Sequence, residues 1–215
     1  MGEMGGTPTA LITGVSRGLG KELARQYAAD GWKVIGTERR DMDMNDVAQI
    51  QRFAAKLKGE PIDLLFCNAG ISGKKGMAPG SFDFASWEEV LRVNLLGPAA
   101  LAEALIDNVA ASERRTIAMM SSRLGSISES SGMTLPYSTS KAALNMLVKG
   151  LAATLASRGI TVVALSPGWV RTDMGGEGAP LSPEASVRGL RKVLAGLKPG
   201  DSGKFLSHDG SAIPW

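Results

Sequence analysis

Thr9-Ala10-Leu11-Ile12-Thr13-Gly14-Val15-Ser16-Arg17-Gly18-Leu19-Gly20-Lys21-Glu22-Leu23-Ala24 reads as a strand, a tight turn and the start of a helix. An apolar, partly β-branched run leads into Gly14, Gly18 and Gly20, and Leu19, Leu23 and Tyr27 then recur at the i, i+4, i+8 spacing of an amphipathic helix. Glycines at such a junction let the backbone approach a pyrophosphate. The helix N-terminus behind them offers free N–H groups and a partial positive charge. The spacing here is Gly-x-x-x-Gly-x-Gly, not the commoner Gly-x-Gly-x-x-Gly. A turn that serves only close helix–sheet packing would leave a similar trace, so the rest of the chain has to decide between the two readings.

Outward from that turn, strand and helix signals alternate. Strands are predicted at 9–13, 33–37, 62–68, 115–121, 161–166 and 203–206, and helices at 19–30, 45–58, 86–111, 142–157 and 183–197. This alternation predicts an α/β fold: one doubly wound Rossmann domain over 9–215, with a parallel sheet and helices on both faces, after a short flexible lead over 1–8. Ser86 before Trp87-Glu88-Glu89 reads as a capping box, and Ser182-Pro183-Glu184 puts proline at a first helical position.

Composition narrows the function classes. The 215 residues make one domain with a full core, and 44% hydrophobic and 21% charged residues are ordinary values for a soluble globular protein. The net charge of +3 comes from scattered basic residues, so no nucleic-acid face is expected. No apolar run approaches membrane-span length, and the polar start does not read as a signal peptide. One cysteine excludes an internal disulfide framework and suits the cytoplasm; with a single histidine, it leaves almost no material for a zinc site, and no metal is expected. A serine hydrolase would have to use His208, which sits in a polar loop with no Gly-x-Ser-x-Gly elbow before it.

Tyr137 and Lys141 stand four apart in Leu135-Pro136-Tyr137-Ser138-Thr139-Ser140-Lys141, and on a helix both leave the same face. A phenol with a pKa of about 10 needs about 4 kcal/mol of preference for phenolate to work near pH 7. A lysine cation roughly 5 Å away, at an effective dielectric of about 20, supplies about 3 kcal/mol. The spacing therefore predicts a phenol made more acidic by its lysine. Taken alone, Tyr-x-x-x-Lys is common by chance, and the upstream turn is what raises its weight.

With both motifs in hand, the chain resembles the classical short-chain dehydrogenase/reductase family. Thr13-Gly14-Val15-Ser16-Arg17-Gly18-Leu19-Gly20 is similar to that family's cofactor turn. Cys67-Asn68-Ala69-Gly70 matches its Asn-Asn-Ala-Gly motif, with Cys67 in place of the first Asn. Asn94, Ser122, Tyr137 and Lys141 fall at its catalytic positions, and Pro167-Gly168-Trp169-Val170-Arg171-Thr172 at the segment that lies along the nicotinamide. Within the family, the stretch 120–127, the Tyr137–Lys141 turn and the ending 209–215 most resemble the small C-factor-like reductases.

The resemblance implies reversible hydride transfer between a nicotinamide dinucleotide and a small carbonyl or alcohol. Tyr137 is the implied proton donor. Lys141 lowers its pKa and holds the nicotinamide ribose, Ser122 binds the substrate oxygen with Ser121 as the fallback, and Asn94 holds a water that links Lys141 to solvent. The implied cofactor contacts are Gly14, Ser16, Arg17, Gly18, Leu19, Gly20, Glu38, Arg39, Asn68, Ala69, Gly70, Tyr137, Lys141, Pro167, Gly168, Val170 and Thr172. Glu38 offers an acid for a ribose hydroxyl, whereas Arg39, Arg40 and Arg17 offer partners for a 2′-phosphate. Counting charges favours NADP(H) slightly over NAD(H). The glycine-rich segment 174–181 predicts a thin, mobile lid and a small substrate.

A cofactor-binding sensor of the same fold with little or no turnover is the second reading, and an epimerase or dehydratase is disfavoured by length. The family often pairs helices matching 86–111 and 142–157 across a two-fold axis, which implies a homodimer or homotetramer, and the alanine-rich faces there suit that pairing or burial against the sheet equally. One departure from the family stands out: Asp43-Met44 follows Thr37 by only six residues, too few for a parallel crossover. The family's third strand is therefore expected to be absent or rudimentary, giving six strands with 33–37 at the edge, a thinner adenine wall and Asp43 short of it.

Overall fold

The computed structural model describes residues 6–74 and 76–215, so the first five residues of the expected lead lie outside the described residues. Six parallel strands form one sheet: β1 (Thr9–Thr13), β2 (Lys33–Thr37), β3 (Leu64–Cys67), β4 (Thr116–Met120), β5 (Thr161–Ser166) and β6 (Phe205–Ser207), in the order β2-β1-β3-β4-β5-β6. The expected six-stranded sheet is borne out, and β2 is its edge. β1 is buried along its whole length, whereas β2 exposes Lys33 and Gly36, half-buries Val34 and Ile35 and buries only Thr37, as suits an edge strand.

The helices are α1 (Gly18–Ala29), α2 (Val47–Ala55), α3 (Phe84–Leu91), α4 (Gly97–Ala110), α5 (Leu135–Leu155) and α6 (Pro183–Ala195). Alternate strand residues feed two cores. Leu11, Leu65, Ile117 and Val162 pack with Ile50 of α2, Leu101 and Leu105 of α4 and Val148 of α5. Ala10, Ile12, Phe66 and Val163 pack with Leu23 and Tyr27 of α1 and Val187 and Leu190 of α6 on the opposite face.

Where the family has a third strand, residues 38–46 make a tight turn. Asp41 and Met42 donate backbone N–H groups to the Glu38 carbonyl, and Met42 and Met44 are buried in the first core, 2% and 6% exposed. The two methionines plug the flank that a strand and helix would cover.

Three element readings need correction. The 86–111 helix begins earlier, because Asp83 rather than Ser86 is its cap: the Asp83 carboxylate accepts from the Ser86 N–H at 3.1 Å. The same stretch is interrupted by a π-helical turn, Arg92–Leu96. α5 starts at Leu135 rather than 142, with Pro136 in its first turn, where the missing N–H is not needed. Ser182 does cap α6, accepting from the Ala185 N–H, with Pro183 at its start.

Candidate active site

The chain runs from β1 to β2 in one direction and from β3 onward in the other, so a crevice opens beyond the C-terminal ends of β1 and β3. Thr13 ties the two ends together. Its hydroxyl oxygen accepts from the Asn68 and Ala69 N–H groups, and the Asn68 amide donates back to the Thr13 carbonyl at 2.9 Å. Gly14 has φ +76° and donates to the Thr37 carbonyl of β2. A Cβ on Gly20 would lie 2.1 Å from the Gly14 carbonyl oxygen, so only glycine lets α1 sit this close to the turn. No side chain caps α1 at Arg17. Its first N–H groups face the crevice without a side-chain partner, the arrangement that receives a phosphate.

One cleft of about 680 Å³ gathers most of the expected positions: Gly14, Ser16, Arg17, Gly18, Leu19, Gly20, Glu38, Arg39, Asn68, Ala69, Gly70, Tyr137, Lys141, Pro167 and Thr172 line it. An uncapped helix end at one side and the Tyr137–Lys141 pair at the other fit an elongated, phosphate-bearing ligand. Asp43 lines the cleft as well, so the expectation that it falls short of this wall is corrected; the turn that buries Met42 and Met44 carries it there. Ser122, Asn94, Gly168 and Val170 lie outside the lining. Val170 is buried and bridged to Leu181, and Gly168 sits against Leu181 and the His208 ring.

At the far end, α5 presents Tyr137 and Lys141 one turn apart, with the lysine Nζ 5.5 Å from the tyrosine ring centre. Lys141 is 3% exposed and donates to the Met120 carbonyl at 2.7 Å. Burial pushes its pKa from 10.5 down to about 8. Burial likewise pushes the Tyr137 phenol up to about 12, and the neighbouring Ser122 hydroxyl draws it back. Burial of the phenol therefore outweighs the acidification of Tyr137 expected from Lys141. Both groups sit in a low-dielectric wall where the charged forms are disfavoured, and the ammonium spends its hydrogen bond on Met120. The adjacent serines divide the work: the Ser121 hydroxyl donates to Asn145 at 2.6 Å inside the core, leaving Ser122 beside Tyr137.

Asn94 sits in the π turn, wholly buried. Its side-chain oxygen accepts from the Ile71 N–H, and its amide donates to the Ile71 carbonyl and to the Ser140 hydroxyl oxygen. These bonds lock the loop after Gly70 onto α5. A water held for Lys141 then needs a group other than this amide.

Features without a local sequence signal complete the site. Asp173 pairs with Arg17 at 2.6 Å across the cleft. Ser140, itself donating to the Tyr137 carbonyl, buttresses Asn94. The segment expected to be a loose lid is compact: the Leu181 N–H donates to the Trp169 carbonyl, the Arg171 N–H donates to the Leu181 carbonyl, and the Arg171 guanidinium donates to the Ala179 and Pro180 carbonyls. Among the described residues, no cluster of three or more His, Cys, Asp or Glu could hold a metal, and no helix is long and apolar enough to cross a membrane.

A family model for short chain dehydrogenases matches residues 8–50 and 40–180. The chain belongs to this family. Among its short-chain dehydrogenase relatives, C-signal of Myxococcus xanthus is 38% identical over 167 residues, covering 77% of this chain and 100% of that one. The 3-oxoacyl-(acyl-carrier-protein) reductase FabG of Escherichia coli is 30% identical, covering 77% and 74%. A short-chain dehydrogenase/reductase from Burkholderia multivorans with bound NADP superposes with a TM-score of 0.87 at 32% identity, covering 97% and 100%. The NADPH-bound carbonyl reductase from chicken fatty liver gives 0.83 at 28%, covering 97% and 99%. The family expected from the motifs is borne out.

Proposed function

We propose that this protein is a carbonyl reductase that transfers a hydride between NADP(H) and a small carbonyl or alcohol. The observation that carries the reading is the single cleft with an uncapped glycine turn at one end and Tyr137 with Lys141 at the other. A nicotinamide ring in this cleft supplies or accepts the hydride. Tyr137 gives its proton to the oxygen that becomes an alcohol, and a phenol with its pKa pushed up to about 12 is present almost entirely as the proton-bearing form near pH 7. Ser122, beside that phenol, donates to the same substrate oxygen, where negative charge develops. Lys141 keeps most of its charge at neutral pH with a pKa of about 8, and its ammonium attracts the ribose hydroxyls and steadies a phenolate left behind.

NADP(H) is the favoured cofactor. Arg17 and Arg39 line the cleft, and the Glu38 carboxylate, which would repel a 2′-phosphate, is engaged by Arg40 at 3.2 Å. The NADP and NADPH bound to the two structural relatives support the same choice. The short segment 174–181 leaves little wall for a long acyl chain or a steroid, which supports a small substrate.

Titration of the purified protein with NADPH and NADH, followed by a panel of small aldehydes and ketones read at the reduced-cofactor absorbance, tests the proposal. Tight NADPH binding with carbonyl-dependent oxidation is the expected result. Binding with no oxidation on any carbonyl, and no reduction of NADP with alcohols, would sink it.

A further inference from the structure

Arg17 and Arg39 line one end of the cleft with Arg40 next to Arg39 in the chain, and each of the three already has an acid. Arg39 pairs with Asp43 at 3.1 Å and Arg40 with Glu38 at 3.2 Å, both within one short turn. The third pair differs in kind. Arg17 and Asp173 are 156 positions apart in sequence, stand on opposite walls, and meet at 2.6 Å across the mouth, with their side chains 78% and 74% exposed. Asp173 is held out by a tight turn: the Gly176 N–H donates to the Thr172 carbonyl at 2.8 Å, and the Gly175 N–H donates to the Thr172 hydroxyl oxygen at 3.2 Å. A Cβ on Gly175 would lie 2.0 Å from the Val170 carbonyl oxygen, so that turn admits no bulk. The Thr172 methyl rests 3.5 Å from where a Cβ on Gly18 would be, which seats the same segment on the start of α1.

We infer that Asp173 is a specificity-determining residue for the cofactor, acting by competing with the ligand's 2′-phosphate for Arg17. This rests on the reading of the cleft as a dinucleotide site. An exposed ion pair is weak and screened by salt, whereas a forked arginine–phosphate contact is charge-assisted and stronger. Arg17 therefore leaves Asp173 for a phosphate and has no reason to leave it for a ribose hydroxyl. Asp173 lowers the gain that a phosphate brings, and so narrows the preference between the two cofactors without touching either.

The test is a set of dissociation constants for NADPH and NADH, measured for the unaltered protein, Asp173→Asn, Arg17→Ala and the double variant at low salt and at 0.5 M added salt (roughly a 4 Å screening length). Both residues involved are solvent-exposed, so folding is not at stake. Asp173→Asn is expected to tighten NADPH by about threefold, inside the roughly 1.4- to 5-fold range an exposed pair allows. NADH should change less than twofold, and the gain should vanish in the Arg17→Ala background and shrink at high salt. Equal weakening of both cofactors would overturn the inference, because the pair would then be a strap that holds the cleft over any dinucleotide. A gain that persists without Arg17 would overturn it too, since Asp173 would then act on the phosphate directly. If the unaltered protein bound neither cofactor, the dinucleotide reading itself would fall and take the inference with it.

Discussion

Lys141 carries its charge into a buried wall, and that burial has a stability consequence with a definite sign. Its pKa falls from 10.5 to about 8 on folding. Below pH 8 both folded and unfolded chains hold the proton, and folding bears the full cost of burying an ammonium. Between pH 8 and 10.5 the unfolded chain binds more protons, so stability rises with pH through this window. Lys141→Met should therefore stabilise the ligand-free protein at pH 7, by up to about 3 kcal/mol less the lost bond to Met120. The advantage should close as the pH climbs to 10.5. Parallel urea titrations of the two proteins check this. The same variant is expected to lose turnover. Tyr137→Phe should keep dinucleotide binding and lose turnover by about 10²–10⁴-fold; normal rates would remove the phenol from the chemistry. The pair was legible in the sequence only when its spacing was read together with the upstream glycine turn. The direction of the tyrosine shift was not, because it depends on how much protein surrounds the ring, and no four-residue spacing encodes that.

At the scale of the element, the turn between β1 and α1 depends on one missing methyl group. Gly20→Ala puts a Cβ 2.1 Å from the Gly14 carbonyl oxygen and 2.5 Å from the Asn68 amide nitrogen. It should cost about 1–3 kcal/mol through overpacking and weaken dinucleotide binding, because α1 must back away from the phosphate seat. Denaturation and cofactor titration read the two effects separately. The start of α3 offers a second check: Asp83→Ala should lower the melting temperature more than Ser86→Ala, reversing the order that a capping box at Ser86 predicts. β1, β2 and β5 begin and end where the apolar runs do, since central and edge strands are bounded by glycine and turn residues. The early start of α5 was hidden by Pro136 and a run of serine and threonine that reads as loop until proline is placed in the first turn. The π turn at Asn94 left no trace in the pattern, because it is fixed by bonds to Ile71 and Ser140 from other parts of the chain.

Across the whole molecule, the first and last helices are stitched together. Arg191 of α6 lies over the Tyr27 ring of α1 at 4.7 Å, donates to Gln26 and pairs with Asp30, while the Gln26 amide donates to the Glu184 carbonyl. These contacts join segments about 160 positions apart, so they complete only when the sheet has closed. Arg191→Ala should lower stability by about 1–3 kcal/mol, seen as a lower denaturation midpoint at unchanged slope. A changed slope would mean that α6 detaches on its own. β3 lies inside the sheet with β1 and β4 on either side, and it ends in the chain's single cysteine. Cys67 is 2% exposed and its thiol is pushed up to about 12 by burial, so a thiol reagent reaches it only when the sheet opens. The unaltered protein thus carries its own clock for opening: the labelling half-time of one thiol counts excursions from the native state, and any ligand that belongs in the adjoining cleft must slow that clock.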